Sequence, residues 1–131
     1  MSQIRVLLVE DNPDNFELVR FLLEQAGHQV LAANTGRKGL EVARQELPDL
    51  ILMDLSLPEI DGWKAATQLK GDPKTAGIPL LALTAHTLPG DRQRALDAGF
   101  NGFISKPIDI RTFPEKINQA LQSRNKAKQD E

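Results

Sequence analysis

Five short apolar runs, each followed by a stretch whose apolar residues recur at helical spacing, limit what this chain of 131 residues can fold into. The runs are Ile4 to Val9, His28 to Ala33, Asp49 to Asp54, Ile78 to Thr84 and Phe103-Ile104. Asp49-Leu50-Ile51-Leu52-Met53-Asp54 is nearly continuous in apolar side chains, as a strand buried on both faces of a parallel sheet requires. The second run is less apolar, which predicts a place at the sheet's edge. Strands joined by helices need right-handed crossovers that bury each helix on the sheet, so the alternation predicts an α/β three-layer sandwich with helices on both faces.

Phe16, Val19, Leu22, Leu23 and Ala26 mark the first helix, opened by Asn12 as N-cap and Pro13 as first helical residue and stopped by Gly27. Asn34-Thr35-Gly36 opens a second, with Leu40, Ala43 and Leu47 on one face and Pro48 ending it. Pro58 and Asp61-Gly62 mark the loop leaving Asp54, and a short helix follows from Trp63 to Leu69, closed by Gly71-Asp72-Pro73. The fourth helix is expected from Pro89 to Ala98, with Gly99 as its stop. The last carries Phe113, Ile117, Ala120 and Leu121 on one face. Asp109 could cap it, but Thr112, with Glu115 three residues on and Pro114 in the first turn, makes the preferred start. From Ser123 the chain is polar and aperiodic and expected to fray, which divides it into a domain over 1–122 and a polar tail over 123–131.

A hydrophobic content of 40% suffices for the core of one such domain. Net charge is −2 with acids and bases interspersed, so neither direct nucleic-acid binding nor a membrane surface is indicated. Cysteine is absent, which excludes disulfides, thiolate catalysis and Cys-ligated zinc. With no signal-peptide pattern and no run long enough to span a bilayer, a soluble cytoplasmic protein is expected.

Ligands of parallel α/β sheets lie beyond the carboxyl ends of the strands. There the first run delivers Glu10-Asp11, the third Asp54 and the fourth Thr84, and Lys106 follows the fifth. Carboxylates about 4 Å apart repel by roughly 4 kcal/mol at an effective dielectric of about 20, so such a cluster should recruit a cation. Oxygen donors without His or Cys favour a hard ion, and Mg²⁺ fits best. With it in place Asp54 could attack a phosphoryl group to give an acyl phosphate, Lys106 neutralising the transferring oxygens and Thr84 bonding the product. His28 and His86 are too few and too far apart to suggest a further metal site, and Trp63 is read as a packing residue.

Val9-Glu10-Asp11-Asn12, Met53-Asp54-Leu55-Ser56-Leu57-Pro58 with Asp61-Gly62, Thr84-Ala85 and Lys106-Pro107, in this order on this scaffold, resemble the receiver domain of two-component response regulators. The resemblance covers about residues 4 to 121. It implies a flavodoxin-like (βα)5 fold with sheet order 2-1-3-4-5, Asp54 as phosphoacceptor, and Mg²⁺ bound by Asp11, Asp54 and the Ser56 backbone carbonyl, with Glu10 acting through water. It implies as well that Lys106 bonds the phosphoryl group, that Thr84 moves to it, that Phe103 is the aromatic switch, and that the Lys106-Pro107 peptide is cis. The phosphodonor would be a histidine kinase or a histidine phosphotransfer protein. A stand-alone receiver of this kind is a signalling phosphoprotein rather than an enzyme, and it would address a separate protein through the face of the fourth helix, fifth strand and last helix.

Three other readings compete. A pseudo-receiver, or a receiver fragment of a hybrid kinase, would act as an interaction module, and a pseudo-receiver would be expected to lack one of the acids, Thr84 or Lys106. None is missing. A Mg²⁺-dependent phosphohydrolase with an aspartyl-phosphate intermediate would need a second acid two residues past the nucleophile, where Ser56 stands. A flavin or nucleotide module would need a phosphate-cradling loop after the first strand, where Glu10-Asp11-Asn12-Pro13-Asp14 repels phosphate.

Overall fold

The computed structural model describes residues 4–55, 57, 62–84 and 89–129. Its elements follow one another as β1 (Arg5–Val9), α1 (Pro13–Gln25), β2 (Gln29–Ala33), α2 (Gly36–Glu46), β3 (Leu50–Asp54), α3 (Gly62–Gly71), β4 (Leu80–Thr84), α4 (Pro89–Ala98), β5 (Gly102–Ser105) and α5 (Phe113–Gln129). All strand pairs are parallel, in the order β2-β1-β3-β4-β5. The less apolar second run does lie at an edge.

Side-chain alternation divides the core in two. Leu7, Val9, Ile51, Met53, Leu80 and Ala82 meet Leu40, Ala43, Ala65, Ala66, Leu69 and Ala95 of α2, α3 and α4. On the other face Val6, Leu8, Leu50, Leu52, Leu81, Leu83 and Ile104 meet Val19, Leu22 and Leu23 of α1 and Phe113, Ile117 and Ala120 of α5. Each fully buried Leu of the central strands contributes about 1.5–3 kcal/mol, so β1, β3 and β4 form the rigid centre from which the site projects.

Local chemistry sets the element ends. Asn12 Oδ1 accepts from the Asp14 and Asn15 amides at 2.9 and 3.1 Å, capping α1, and Thr35 Oγ1 accepts from the Lys38 amide at 3.1 Å to cap α2. Gly27 and Gly99 end α1 and α4 with φ of 88° and 105°. Leu47, expected on the apolar face of α2, is instead its left-handed C-cap with φ 47° and is half exposed, because Pro48 forbids another turn. The fourth strand begins at Leu80 rather than Ile78, since Pro79 has no amide to give the ladder and the Ile78 amide is spent on the Thr75 carbonyl at 3.0 Å. α5 begins at Phe113, as the Thr112 start predicts, while the Asp109 carboxylate closes the preceding turn on the Arg111 amide at 3.0 Å. α5 runs on to Gln129, past Ser123. Among the described residues no helix is long and apolar enough to cross a membrane.

Candidate functional site

Parallel strands with short connections deliver their carboxyl-terminal residues to one edge, and four of the five supply the polar groups found there. Glu10 follows β1 directly and is 1% exposed; Asp54 and Thr84 end β3 and β4, each 4% exposed. Lys106 follows β5, and its peptide to Pro107 is cis. Its amide donates to the Thr84 carbonyl at 2.8 Å, tying the two strand ends together.

The Lys106 ammonium donates to Glu10 Oε1 at 2.8 Å and to Asp54 Oδ2 at 3.1 Å. The other Glu10 oxygen accepts from the Asp11 amide at 3.1 Å. Carboxylate oxygens of Glu10, Asp11 and Asp54 lie within 4.8 Å of one another, Asp11 being the exposed member. Three carboxylates facing one ammonium leave two negative charges uncompensated when all are ionised. Burial, together with the neighbouring Asp54 carboxyl, pushes the Glu10 pKa up to about 7 against the pull of Lys106. For Lys106, burial alone would lower the pKa, but Glu10 and Asp54 outweigh it and raise the value above the usual lysine range.

This donor set fits Mg²⁺. It is all oxygen, combines two buried carboxylates with one facing solvent, and carries the excess charge that a divalent cation cancels. Thus Glu10, Asp11, Asp54 and Lys106 are brought together as expected. Ser56, the expected carbonyl ligand of the metal, lies outside the described residues, as does His86. Phe103 stands away from the carboxylates, in β5, partly buried against the core under α3 and α4. The register pairs it with Ala82 and pairs Ser105 with Thr84, so Phe103 and Thr84 share one face of the sheet a diagonal step apart.

Sequence reasoning missed two features. The direct bond between Lys106 and Glu10 joins residues 96 positions apart, and no local pattern signals it. Gly62 marks a turn and matches the receiver pattern, but neither signals how tightly it is packed. In the structure a Cβ there would stand 2.6 Å from the Asp54 carbonyl oxygen and 2.8 Å from Leu55 Cα. The one signal was its place just before a helical pattern that follows a strand end.

The sequence pattern of one protein family, the response regulator receiver domain, matches residues 6–118. The chain is 40% identical over 116 residues to the polar-differentiation response regulator DivK of Brucella ovis, which covers 88% of this chain and 94% of that protein. It is similar in structure to the receiver domain of a sensor histidine kinase from Pseudomonas aeruginosa PAO1, solved with a magnesium ion coordinated in its active-site cleft. That match has 31% identity and a TM-score of 0.85, covering 92% of this chain and 99% of that one. The chemotaxis response regulator CheY4 of Vibrio cholerae is likewise similar, with 26% identity and a TM-score of 0.86 over 91% of this chain and 99% of that one.

Proposed function

This chain belongs to the response regulator receiver domain family, and we propose on that premise that it takes a phosphoryl group from a phosphohistidine onto Asp54 and reports the change to a separate protein. A receiver is a signalling phosphoacceptor rather than an enzyme. The observation that carries the assignment is the position of Asp54, a buried carboxylate at the end of the central strand β3, 3.1 Å from the Lys106 ammonium and within 4.8 Å of the Glu10 and Asp11 oxygens.

In the proposed reaction an Asp54 carboxylate oxygen forms a bond to phosphorus as the bond from phosphorus to the imidazole nitrogen of the donor breaks. The electron pair returns to the imidazole, and Asp54 becomes an acyl phosphate. Mg²⁺, held by Asp11, Asp54 and the Ser56 carbonyl with Glu10 through water, would neutralise the phosphoryl oxygens when bound. Lys106 holds Asp54 in place before transfer, and the same ammonium can turn from Asp54 Oδ2 to a phosphoryl oxygen after it. Glu10 keeps Lys106 anchored during that exchange through its 2.8 Å bond. Thr84, at the end of the neighbouring strand, would donate its hydroxyl to the new oxygens. The donor would be a histidine kinase or a histidine phosphotransfer protein. Support for a separate reader comes from the curated relative, of which the chain covers 94%. The face of α4, β5 and α5 is the proposed contact.

Incubation with acetyl phosphate and Mg²⁺ should add the mass of one phosphoryl group to the intact protein, and Asp54→Asn should abolish the addition. A full mass shift in Asp54→Asn would overturn the assignment.

A further inference from the structure

Between Gln93 and Ala98 the core takes up little of α4. Of its side chains from Gln93 to Ala98, Ala95 alone is buried, and Leu96 is 48% exposed. α3 adds contacts at both ends of this segment. The Arg94 guanidinium lies 4.2 Å over the Trp63 ring. That ring in turn meets Phe100, buried just past α4, edge to face at 6.0 Å and 89°. At the far end of α3 the Lys70 stem lies across Gly99, and its ammonium donates to the Ala76 and Ile78 carbonyls at 3.1 and 2.9 Å. α3 therefore touches the α4 segment at both of its own ends.

The beginning of α3 is also seated on the acceptor strand. The Gly62 amide donates to the Leu55 carbonyl at 3.4 Å, and the backbone of Asp54 and Leu55 leaves no room for a side chain at position 62. A displacement of the Asp54-Leu55 backbone must therefore move Gly62, and the next residue is Trp63.

We propose that Trp63 and Arg94 form a second route, beside the one through Thr84 and Phe103, by which the state of Asp54 reaches α4. The inference rests on Asp54 being the acceptor. A cation–π contact with an exposed arginine is weak enough to break and remake, as a switch between two packings requires. A tryptophan that merely filled space between α3 and α4 would be indifferent to Arg94, and that difference is measurable.

Trp63 is the sole tryptophan, so the emission of the chain comes from this one position. In the full chain, beryllium fluoride with Mg²⁺ should change that emission, and the change should persist in Thr84→Ala. Arg94→Gln should take up phosphoryl from acetyl phosphate at the parent rate by intact mass, yet lose about half of the beryllium fluoride-induced amide shift along α4. Trp63→Phe, which keeps an aromatic ring against Phe100, should lose a similar share. A full α4 shift in Arg94→Gln, or an emission blind to beryllium fluoride in a parent that accepts phosphoryl, would overturn the route. A parent that takes up no phosphoryl would overturn the acceptor assignment and this route with it.

Discussion

Burial, with the neighbouring Asp54 carboxyl, pushes the Glu10 pKa from 4.5 up to about 7 against the pull of Lys106. An acid whose pKa is raised on folding stabilises the fold fully below its unfolded value, and that stabilisation is lost as pH rises through the folded one. In metal-free protein the loss falls between 4.5 and about 7. Urea unfolding of Glu10→Gln across that window should show a flatter pH dependence than the parent; an equal slope would mean that Glu10 does not titrate there. Mg²⁺ prefers the ionised cluster, so its affinity should fall as pH drops below about 7, approaching about tenfold per pH unit. At higher pH Asp11→Ala should weaken Mg²⁺ more than Glu10→Gln, because the Asp11 carboxylate faces solvent whereas one Glu10 oxygen is engaged by Lys106. Calorimetric titration of both variants checks this, and unchanged affinity in Asp11→Ala would remove Asp11 from the site.

Among the elements, α3 depends on the residue that begins it. At Gly62 the atoms that a Cβ would strike belong to the backbone of Asp54 and Leu55 and cannot rotate away. Gly62→Ala should therefore cost about 1–3 kcal/mol by urea unfolding and slow phosphoryl uptake by displacing the acceptor strand's exit. At Gly77 a Cβ would meet nothing within 4 Å, so Gly77→Ala should stay within about 0.5 kcal/mol of the parent. Equal losses in the two variants would count against a specific seat for α3. What made most elements legible was local: the Asn12 cap, the Gly27 and Gly99 stops, and apolar periodicity in α1 and the central strands. What escaped was decided by distant neighbours or by a rare backbone state. Nothing in a Gly after an Asp foretells a carbonyl above it, and a leucine is not the residue expected to adopt a left-handed C-cap at position 47.

For the molecule as a whole, periodicity gave the layers and the parallel direction, but the order 2-1-3-4-5 came from family resemblance, since no local pattern says which strand edges pair. The convergence of Glu10, Asp54, Thr84 and Lys106 was readable because a parallel sheet brings its carboxyl ends together wherever each strand sits. How that site addresses the surface is a question about two packings. A phosphoryl group can shift their balance only by interacting differently with each. Thr84 ends β4 beside Lys106, and Phe103 lies a diagonal step away on the same face, under α4. In the proposed coupling, drawing the Thr84 hydroxyl toward phosphoryl oxygens would free space that Phe103 can enter, and the contact between α4 and β5 would then change. Beryllium fluoride with Mg²⁺ should accordingly perturb amide signals of α4 and β5 more than those of α1. Thr84→Ala should still gain one phosphoryl by mass but show a smaller perturbation on that face, separating the chemistry from its readout. Spectra in which α1 responds most, or in which Thr84→Ala responds as the parent does, would sink this coupling and leave Asp54 as acceptor.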